Sequence, residues 1–493
     1  MIPLVSPDQM QNVDQRTIAA GTDGFVLMRR AGAAIAAVLR GRWSARPVLV
    51  LTGPGQNGGD GWIVADLLAR AGWPVTVATN WAPSTLKGDA HRAAARAGLS
   101  PISLTEALSR PHTLVVDALF GAGLSRPIKG PPAAIINAVK EWGAAVIAAD
   151  LPSGLDGRTG QIHGDALTAS ATVTFGAAKP GHFIGEGLSL CGDLHIADIG
   201  LDLRSDDAAA ILNHPEAWRQ DLPWPPRAAH KYDRGGVLVL AGPRHQTGAA
   251  RLCAEAAARA GAGAVTLACR PSAADIIAGH ETAALLAILR EDDDLAALCR
   301  SKRVKAVAIG PGLGMDEAAR SALRTILTAQ IPAVLDADAL TLIARDRSLR
   351  ERLGCHHVLT PHEGEFSRLF PDWEGDALSR CAKAADELGT TLLLKGAATV
   401  IATPGARPVI NAHASPVLAT AGSGDVLTGI IAGLIAQDMP PHNAACAGAW
   451  LHGEGGLAAD PGLTAEDLPA EVGAAMAAAS QARPQRARRL GQR

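Results

Sequence analysis

Val48-Leu49-Val50-Leu51-Thr52-Gly53-Pro54-Gly55-Gln56-Asn57-Gly58-Gly59-Asp60-Gly61 reads as a buried strand running straight into a glycine-rich loop. An unbroken apolar run, rather than an alternating one, belongs to a strand covered on both faces, as in a parallel sheet between helices. A helical pattern follows, with Val64, Leu67 and Leu68 on one face. Strand, glycine loop, helix is the arrangement in which backbone N–H groups and a helix dipole receive a phosphate. Gly53, Gly55 and Gly58 satisfy G-x-G-x-x-G, a weak pattern when it stands alone. A dinucleotide-binding unit wants an acid about 20 residues further on for the ribose. The next strand, residues 75–78, ends instead at Asn80. Simple dinucleotide binding is disfavoured, and a nucleotide phosphate stays open.

The same alternation of short apolar runs and Ala/Leu-rich helical patterns recurs along the chain. Strands are expected at 114–116 and 146–149, then at 237–240, 265–268, 306–309, 334–335 and 392–394. This predicts mostly parallel sheets with helices on both faces. At 493 residues the chain exceeds what one core usually serves, so two α/β domains are expected. Leu222-Pro223-Trp224-Pro225-Pro226 carries three prolines in four positions, which neither a helix nor a central strand tolerates. The expected organisation is a first domain over 1–215, a Pro-rich linker over 216–228, a second domain over 229–478 and a basic tail over 479–493.

Composition bounds the function. Hydrophobic residues make up 48% and charged residues 19%, as in a globular protein with large cores. The net charge of -2 offers no broad basic field for nucleic acid. Five arginines between Gln481 and Arg493 read as a solvated tail. Asp8, Asp14 and Arg16 interrupt any signal-peptide core, and the apolar run 426–436 is too short for a membrane span, so it is expected as a buried helix. Seven cysteines without a C-x-x-C pair fit reduced thiols. A cytoplasmic protein without a membrane or nucleic-acid partner is expected.

Two further strands of the first half end in acids. Asp117 leads into Ala118-Leu119-Phe120-Gly121-Ala122-Gly123-Leu124, and Asp150 into Leu151-Pro152-Ser153-Gly154-Leu155-Asp156. Carboxyl ends of parallel strands open on a common crevice, where Asn57, Asp117, Asp150 and Ser153 could converge. A lone strand-end Asp is most often a helix cap; two of them beside Asn57-Gly58-Gly59-Asp60-Gly61 favour a site. With Leu27-Met28 and Ala31-Gly32, these segments resemble the NAD(P)H-hydrate epimerase domain over about residues 10–215, which implies a Rossmann-like three-layer α/β/α fold. The resemblance implies a potassium ion held by Asn57, Asp117 and Ser153, with Asp150 touching the nicotinamide hydrate as catalytic acid/base. It further implies substrate contacts at Asn57, Gly58, Gly59 and Asp60, and along Gly121, Ala122, Gly123, Leu124, Ser125, Arg126 and Pro127. Gln56 stands where the family has asparagine, and Arg29 where it often has glutamate.

The second half has no G-x-x-x-x-G-K-[ST]. Its anion loop is Ala421-Gly422-Ser423-Gly424, followed by Asp425 and an apolar helix. Glycines let the backbone approach closely, and the helix start directs free N–H groups at an anion. An Asp there can be merely a dipole partner; directly behind an anion turn it becomes a candidate base for phosphoryl transfer to a hydroxyl. Gly248-Ala249, Gly310-Pro311-Gly312-Leu313-Gly314, Leu335-Asp336-Ala337-Asp338, Thr360-Pro361-His362-Glu363-Gly364-Glu365 and Lys395-Gly396 accompany it. The set resembles the ribokinase-like superfamily and, more narrowly, the ADP-dependent NAD(P)H-hydrate dehydratases over about residues 227–475. The resemblance implies that Ala249, Gly312, His362 and Asp425 contact the hydrated nicotinamide nucleotide. It places Lys395, Gly396, Ala397, Ala398 and Thr399, with Gly424, on the adenine nucleotide, bound with magnesium. His413-Ala414-Ser415-Pro416-Val417 stands where the family often has Asn-Pro-Gly.

Together the resemblances imply repair of hydrated NADH and NADPH: R/S epimerisation in the first domain and ADP-dependent dehydration of the S-hydrate in the second, releasing AMP and phosphate. The hydrates and ADP are the expected partners, and the assembly is expected to be a homo-oligomer. Two rivals differ in kind. A ribokinase-type kinase would leave a stable phosphorylated product, and a first domain serving as a nucleotide- or RNA-binding scaffold would need no strand-end acids.

Overall fold

The apolar run that opens the glycine loop is β1 (Val48–Thr52), with every side chain buried. It pairs in parallel with β2 (Val75–Ala78) and β3 (Leu114–Ala118); β4 (Ala145–Ala149), β5 (Ala171–Phe175) and β6 (Asp193–Ala197) extend the sheet, giving the order β2-β1-β3-β4-β5-β6 with all strands parallel. Alternate side chains of β1 feed two cores. Val48 and Val50 pack with the helices Gly24–Arg42 and Gln56–Arg70, while Leu49 and Leu51 pack with Ile135, Ile136 and Val139 of the helix Pro131–Glu141. Burial on both sides is why these strands carry unbroken apolar runs. The structure, a computed structural model, describes residues 1–224, 228, 230, 231 and 233–481.

The second sheet contains β7 (Ala210–Leu212), β8 (Gly236–Leu240), β9 (Ala264–Cys269), β10 (Leu285–Ile288), β11 (Val304–Ile309), β12 (Ala333–Leu335), β13 (His357–Leu359), β14 (Thr391–Leu394), β15 (Thr399–Ala402) and β16 (Val409–Asn411). They lie in the order β7-β16-β15-β14-β13-β12-β11-β8-β9-β10. Pairing is parallel except where β15 meets β14 and β16. The apolar run 426–436 lies in the helix Ser423–Ala436, buried almost throughout. A Cβ on Gly429 would stand 2.1 Å from the Cys253 carbonyl oxygen, so this glycine lets the helix lie against its neighbour Thr247–Arg259. Among the described residues no helix is long and apolar enough to cross a membrane.

The division between units differs from the expected linker. One unit is Pro3–Ala210, and the other runs from Ile211 onward with Met1–Ile2. Residues 211–222 belong to the second unit for a physical reason. Ile211 and Leu212 pair with β16, the Asn213 amide donates to Asn411 Oδ1 (2.9 Å) and the Cys446 carbonyl (2.7 Å), and Trp218 is buried against Trp450. The prolines mark the end of this strap, not the join. Pro225, Pro226, Arg227, Ala229 and Tyr232 lie outside the described residues, as do 482–493 of the expected tail; Ala479–Gln481 close the helix Leu468–Gln481.

Candidate active sites

In the first unit the helix begins at Gln56, so Asn57 through Gly61 form its first turns instead of a loop. The glycines are there for contact. A Cβ on Gly58 would meet the Gly53 carbonyl oxygen at 2.0 Å, and one on Gly59 would meet Met28 Cε at 2.4 Å. Both are buried in packing, and neither is on the wall of the cavity below. Pro127 is also absent from the wall; it packs beside Gly164.

A cavity of about 980 Å³ opens at the carboxyl ends of these strands. Asn57, Asp60, Gly121, Ala122, Gly123, Leu124, Ser125, Arg126 and Asp150 all reach its wall, with Gln56 beside them. Asp117 and Ser153 lie beneath, both fully buried. The Ser153 N–H and hydroxyl donate to the two Asp117 oxygens (2.6 Å each), and the Phe120 N–H donates to Ser153 Oγ (2.9 Å). Burial pushes the Asp117 carboxyl up to about 6 in spite of these donors, all of which are neutral. Asn57 packs against Gly121 and its buried Nδ2 lacks a hydrogen-bond partner.

Asp150 follows β4 with φ 63°, a left-handed conformation that Asp adopts more readily than most residues. Lys179, 1% exposed, donates to Asp150 Oδ1 (2.5 Å) and to Thr174 Oγ1 (2.8 Å), while Thr174 donates to the same carboxylate oxygen (2.8 Å). Burial alone would raise Asp150. The Lys179 charge and hydrogen bond, then the Thr174 hydroxyl, outweigh it and hold the carboxyl below its usual range. His182 Nε2–H donates to the Asp150 carbonyl (2.9 Å); burial and the Lys179 charge push this imidazole down to about 4, so it is neutral. Asp14, on the helix Pro7–Ala19, also reaches the cavity. Burial pushes it up to about 6, with Lys179 opposing and Asp150 adding to the rise. Sequence reasoning missed Lys179 and Asp14. The one is a lysine in an alanine–proline stretch, the other an acid in an ordinary amphipathic helix.

In the second unit the expected residues again gather at the carboxyl ends of parallel strands. Gly422 takes φ 93° and opens the helix Ser423–Ala436, with Asp425 in its first turn. Asp336 follows β12 and is 2% exposed; it accepts from Lys395 Nζ (2.8 Å), Thr428 Oγ1 (2.8 Å) and the Ala337 N–H (2.9 Å). Lys395 Nζ lies 3.3 Å from where a Gly424 Cβ would be, which puts an ammonium against the anion loop. Gly396, Ala397 and Ala398 turn the chain into β15, which Thr399 begins. Burial, then the Asp336 charge, pushes Asp425 up to about 6; Lys395 opposes, and Asp338 and Glu365 add to the rise. Glu365 accepts from the His362 N–H (2.9 Å), and His362 Nδ1 caps the helix Glu363–Leu369 by accepting from the Gly364 N–H (3.0 Å). Gly312 (φ 57°) lies over Gln246 and Ala249.

His452 adds an unforeseen contact. Its Nε2 is 2.9 Å from Ser423 Oγ and 3.0 Å from the Ser423 carbonyl. Burial pushes this imidazole down to about 4, so it is neutral, and a carbonyl can only accept. Nε2 therefore carries the proton, Ser423 Oγ accepts from it, and the Ser423 hydroxyl proton stays free for an anion in the loop.

The second unit, with its anion-receiving helix start and buried aspartate behind it, has the ribokinase-like fold. A ribokinase-like superfamily protein of Enterococcus faecalis is 27% identical with a TM-score of 0.50, covering 56% of this chain and 98% of that one. Residues 237–476 match the NAD(P)H-hydrate dehydratase family, and residues 24–181 match the family described as YjeF-related protein N-terminus. A bifunctional NAD(P)H-hydrate repair enzyme (Nnr) of Coxiella burnetii is 36% identical over 487 residues, covering 95% of this chain and 98% of its own. That of Moorella thermoacetica is 38% identical, over 88% of this chain and 87% of its own. The chain belongs to the family of bifunctional NAD(P)H-hydrate repair enzymes. It joins an epimerase and a dehydratase, so neither the stable-product kinase nor the inert scaffold describes it.

Proposed function

We propose that the cavity around Asp150 interconverts the R- and S-hydrates of NADH and NADPH, and that the crevice around Asp425 dehydrates the S-hydrate at the expense of ADP. The observation that carries the second half is Asp425 in the first turn of an anion-receiving helix, with Lys395 against the same turn. Hydroxide is a poor leaving group, and phosphate a good one. Asp425 accepts the proton of the C6 hydroxyl as its oxygen takes the terminal phosphoryl group of ADP, releasing AMP. The 422–424 backbone, the Ser423 hydroxyl and Lys395 stabilise the charge on that group. Phosphate then leaves C6 with the bonding pair as C5 loses a proton, which restores the C5=C6 bond. Ala249, Gly312 and His362 form the substrate wall in this reading, and Lys395 through Thr399 with Gly424 hold the adenine nucleotide.

The donors suit the two ions. Magnesium usually binds through one or two carboxylates plus substrate phosphates; Asp338 and Glu365, both acting on Asp425, would hold it here, where it neutralises phosphate charge. A hard monovalent ion wants oxygen ligands. Asp117, buried among neutral donors, supplies carboxylate oxygens, and with the Asn57 side-chain carbonyl and the Ser153 hydroxyl it fits potassium. The working form in this reading is a cytoplasmic homo-oligomer, measurable by light scattering. One assay tests the division of labour: mixed hydrates, ADP and a magnesium salt, followed by NADH absorbance and by chromatography of the two epimers. Asp425→Asn is expected to abolish NADH recovery and spare interconversion; Asp150→Asn should do the reverse. A folded variant losing both would defeat the reading, as would full epimerase activity without potassium for the ion site.

A further inference from the structure

Among the groups lining the first-unit cavity are the carboxyls of Asp14, Asp60 and Asp150 and the ammonium of Lys179. The ammonium is committed, since Lys179 is ion-paired to Asp150 at 2.5 Å. Among the described residues Asp14 and Asp60 have no ion-pair partner. Buried like charges without counterions do not all stay ionised. Asp60 is 7% exposed, and burial, then Asp150 and Asp14, hold it well above the usual carboxylate range. Asp14 is pushed up to about 6 by burial, against Lys179 and with Asp150. Neutral His182 stands behind Asp150. Asp8, Asp89, Asp156, Arg126 and Arg158 are the other charged groups on the wall. Of these three carboxyls, Asp150 is held as a carboxylate by Lys179, and Asp14, without an ion-pair partner on the cavity wall, titrates near working pH, where proton transfer is most effective.

We infer that Asp14 is the proton donor of epimerisation and Asp150 its proton acceptor, an assignment that rests on the epimerase reading of the cavity. C6 of the hydrate carries a hydroxyl next to ring nitrogen N1. Asp14 protonates that hydroxyl, and the C6–O bond breaks as the N1 lone pair forms an N1=C6 iminium and water leaves. Water then adds to the opposite face of C6 and gives its proton to the Asp150 carboxylate. The product has the same atoms and the opposite configuration. The proton moved from Asp14 to Asp150 is restored through solvent in the open cavity.

The test is the pH dependence of interconversion in the full-length protein, run in parallel in water enriched in oxygen-18. Wild-type rate should fall as pH rises through about 6, because the donor is then ionised. Asp14→Asn should lower the rate by about 10²–10⁴-fold and remove that limb, while Asp14→Glu restores part of both. NADH recovery from purified S-hydrate should be unchanged in both variants, and hydrogen exchange resolved by segment over residues 3–210 should match wild type, which shows that both units are folded. Each inverted molecule should carry one solvent oxygen. Wild-type rate and limb in Asp14→Asn overturn the assignment, as does loss of the limb in Asp60→Asn instead, or inversion with the original oxygen retained. Wild-type protein that interconverts nothing at any pH overturns the epimerase reading itself.

Discussion

Asp150 and Asp425 are the same residue type, each just past a strand end or helix start, each mostly buried, and their carboxyls are held in opposite directions. Asp150 has an ammonium in direct contact and is kept low; Asp425 has Lys395 nearby, but that lysine is committed to Asp336, and Asp425 is pushed up to about 6. Burial raises both, so the partner's placement decides. A carboxylate locked to a lysine suits a fixed acceptor and a firm fold. One left to titrate suits proton transfer and costs stability. The second unit spends its lysine on Asp336 and the anion loop, and leaves its base unpaired.

The largest effect expected from breaking this contrast is on the first unit. Asp150→Asn leaves the Lys179 ammonium buried without a counter-charge, and removing one partner of a buried pair typically costs about 3–5 kcal/mol. Asparagine tolerates the left-handed backbone at this position, so the loss reports on charge alone. The stabilising contribution of Asp150 is present above its ordinary pKa and disappears as pH falls through its lowered folded value. The gap between wild type and variant should therefore be widest at neutral pH and close in acid. Hydrogen exchange resolved by segment would localise it to β4, β5 and residues 179–182. A gap that stays constant into acid would mean that packing, and not the ion pair, holds this site.

The same substitution at Asp425 is expected to stabilise. A carboxyl raised to about 6 carries no penalty below its unfolded pKa, accrues one as pH rises between the two values, and bears all of it above 6. That penalty is about 3 kcal/mol at most, and Asp425→Asn should recover part of it in the second unit at pH 8 while NADH recovery is lost. At pH 4 the stabilisation should nearly vanish. The wild-type dehydration rate should also drop with acid below about 6, as the base becomes protonated. A destabilising Asp425→Asn would show that the carboxylate is held by contacts in the free protein, and the comparison with Asp150 would fail.

These two aspartates were legible in the sequence because each sits behind a segment with an unmistakable shape: an apolar strand for Asp150, a glycine anion loop for Asp425. Alternation of buried strands and helices gave the fold class for the same reason. The groups that tune them were not legible. Lys179 reaches Asp150 from 29 residues further along, and Asp14 comes from a helix at the other end of the unit; neither has a local pattern, because the sheet alone brings them together. Asp336 was visible as a strand-end acid, yet its partnership with Lys395 and Thr428 spans 59 and 92 residues. Gly58 and Gly59 looked like loop residues because glycine signals a turn more often than a helix contact, and only the neighbouring backbone distinguishes the two. The join between units was misjudged because prolines are conspicuous, whereas Ile211 and Asn213 reveal their role only through partners near residues 409–411 and 446.

The smallest expected effect is the most discriminating, because it leaves both ion pairs in place. Thr174 and Thr428 occupy equivalent chemical positions: each is fully buried and donates at 2.8 Å to an aspartate that a lysine also holds. Thr174→Val and Thr428→Val keep the volume nearly unchanged and remove only the hydroxyl. A hydrogen bond to a charged group contributes about 1.5–3 kcal/mol, and the low end applies where a lysine still satisfies the carboxylate. Each variant should therefore lose about 1.5 kcal/mol in its own unit by denaturant titration. Their activities should diverge. Thr174→Val weakens the hold on Asp150 and lets its pKa climb, so the acid side of the epimerisation profile should move to higher pH. Thr428 touches Asp336 and not Asp425, so its removal should reach the dehydration profile only through the Asp336 charge and shift it much less. Equal shifts in the two profiles would mean that Asp336 and Asp425 titrate as one unit, and the second site would then have to be treated as a coupled carboxyl pair.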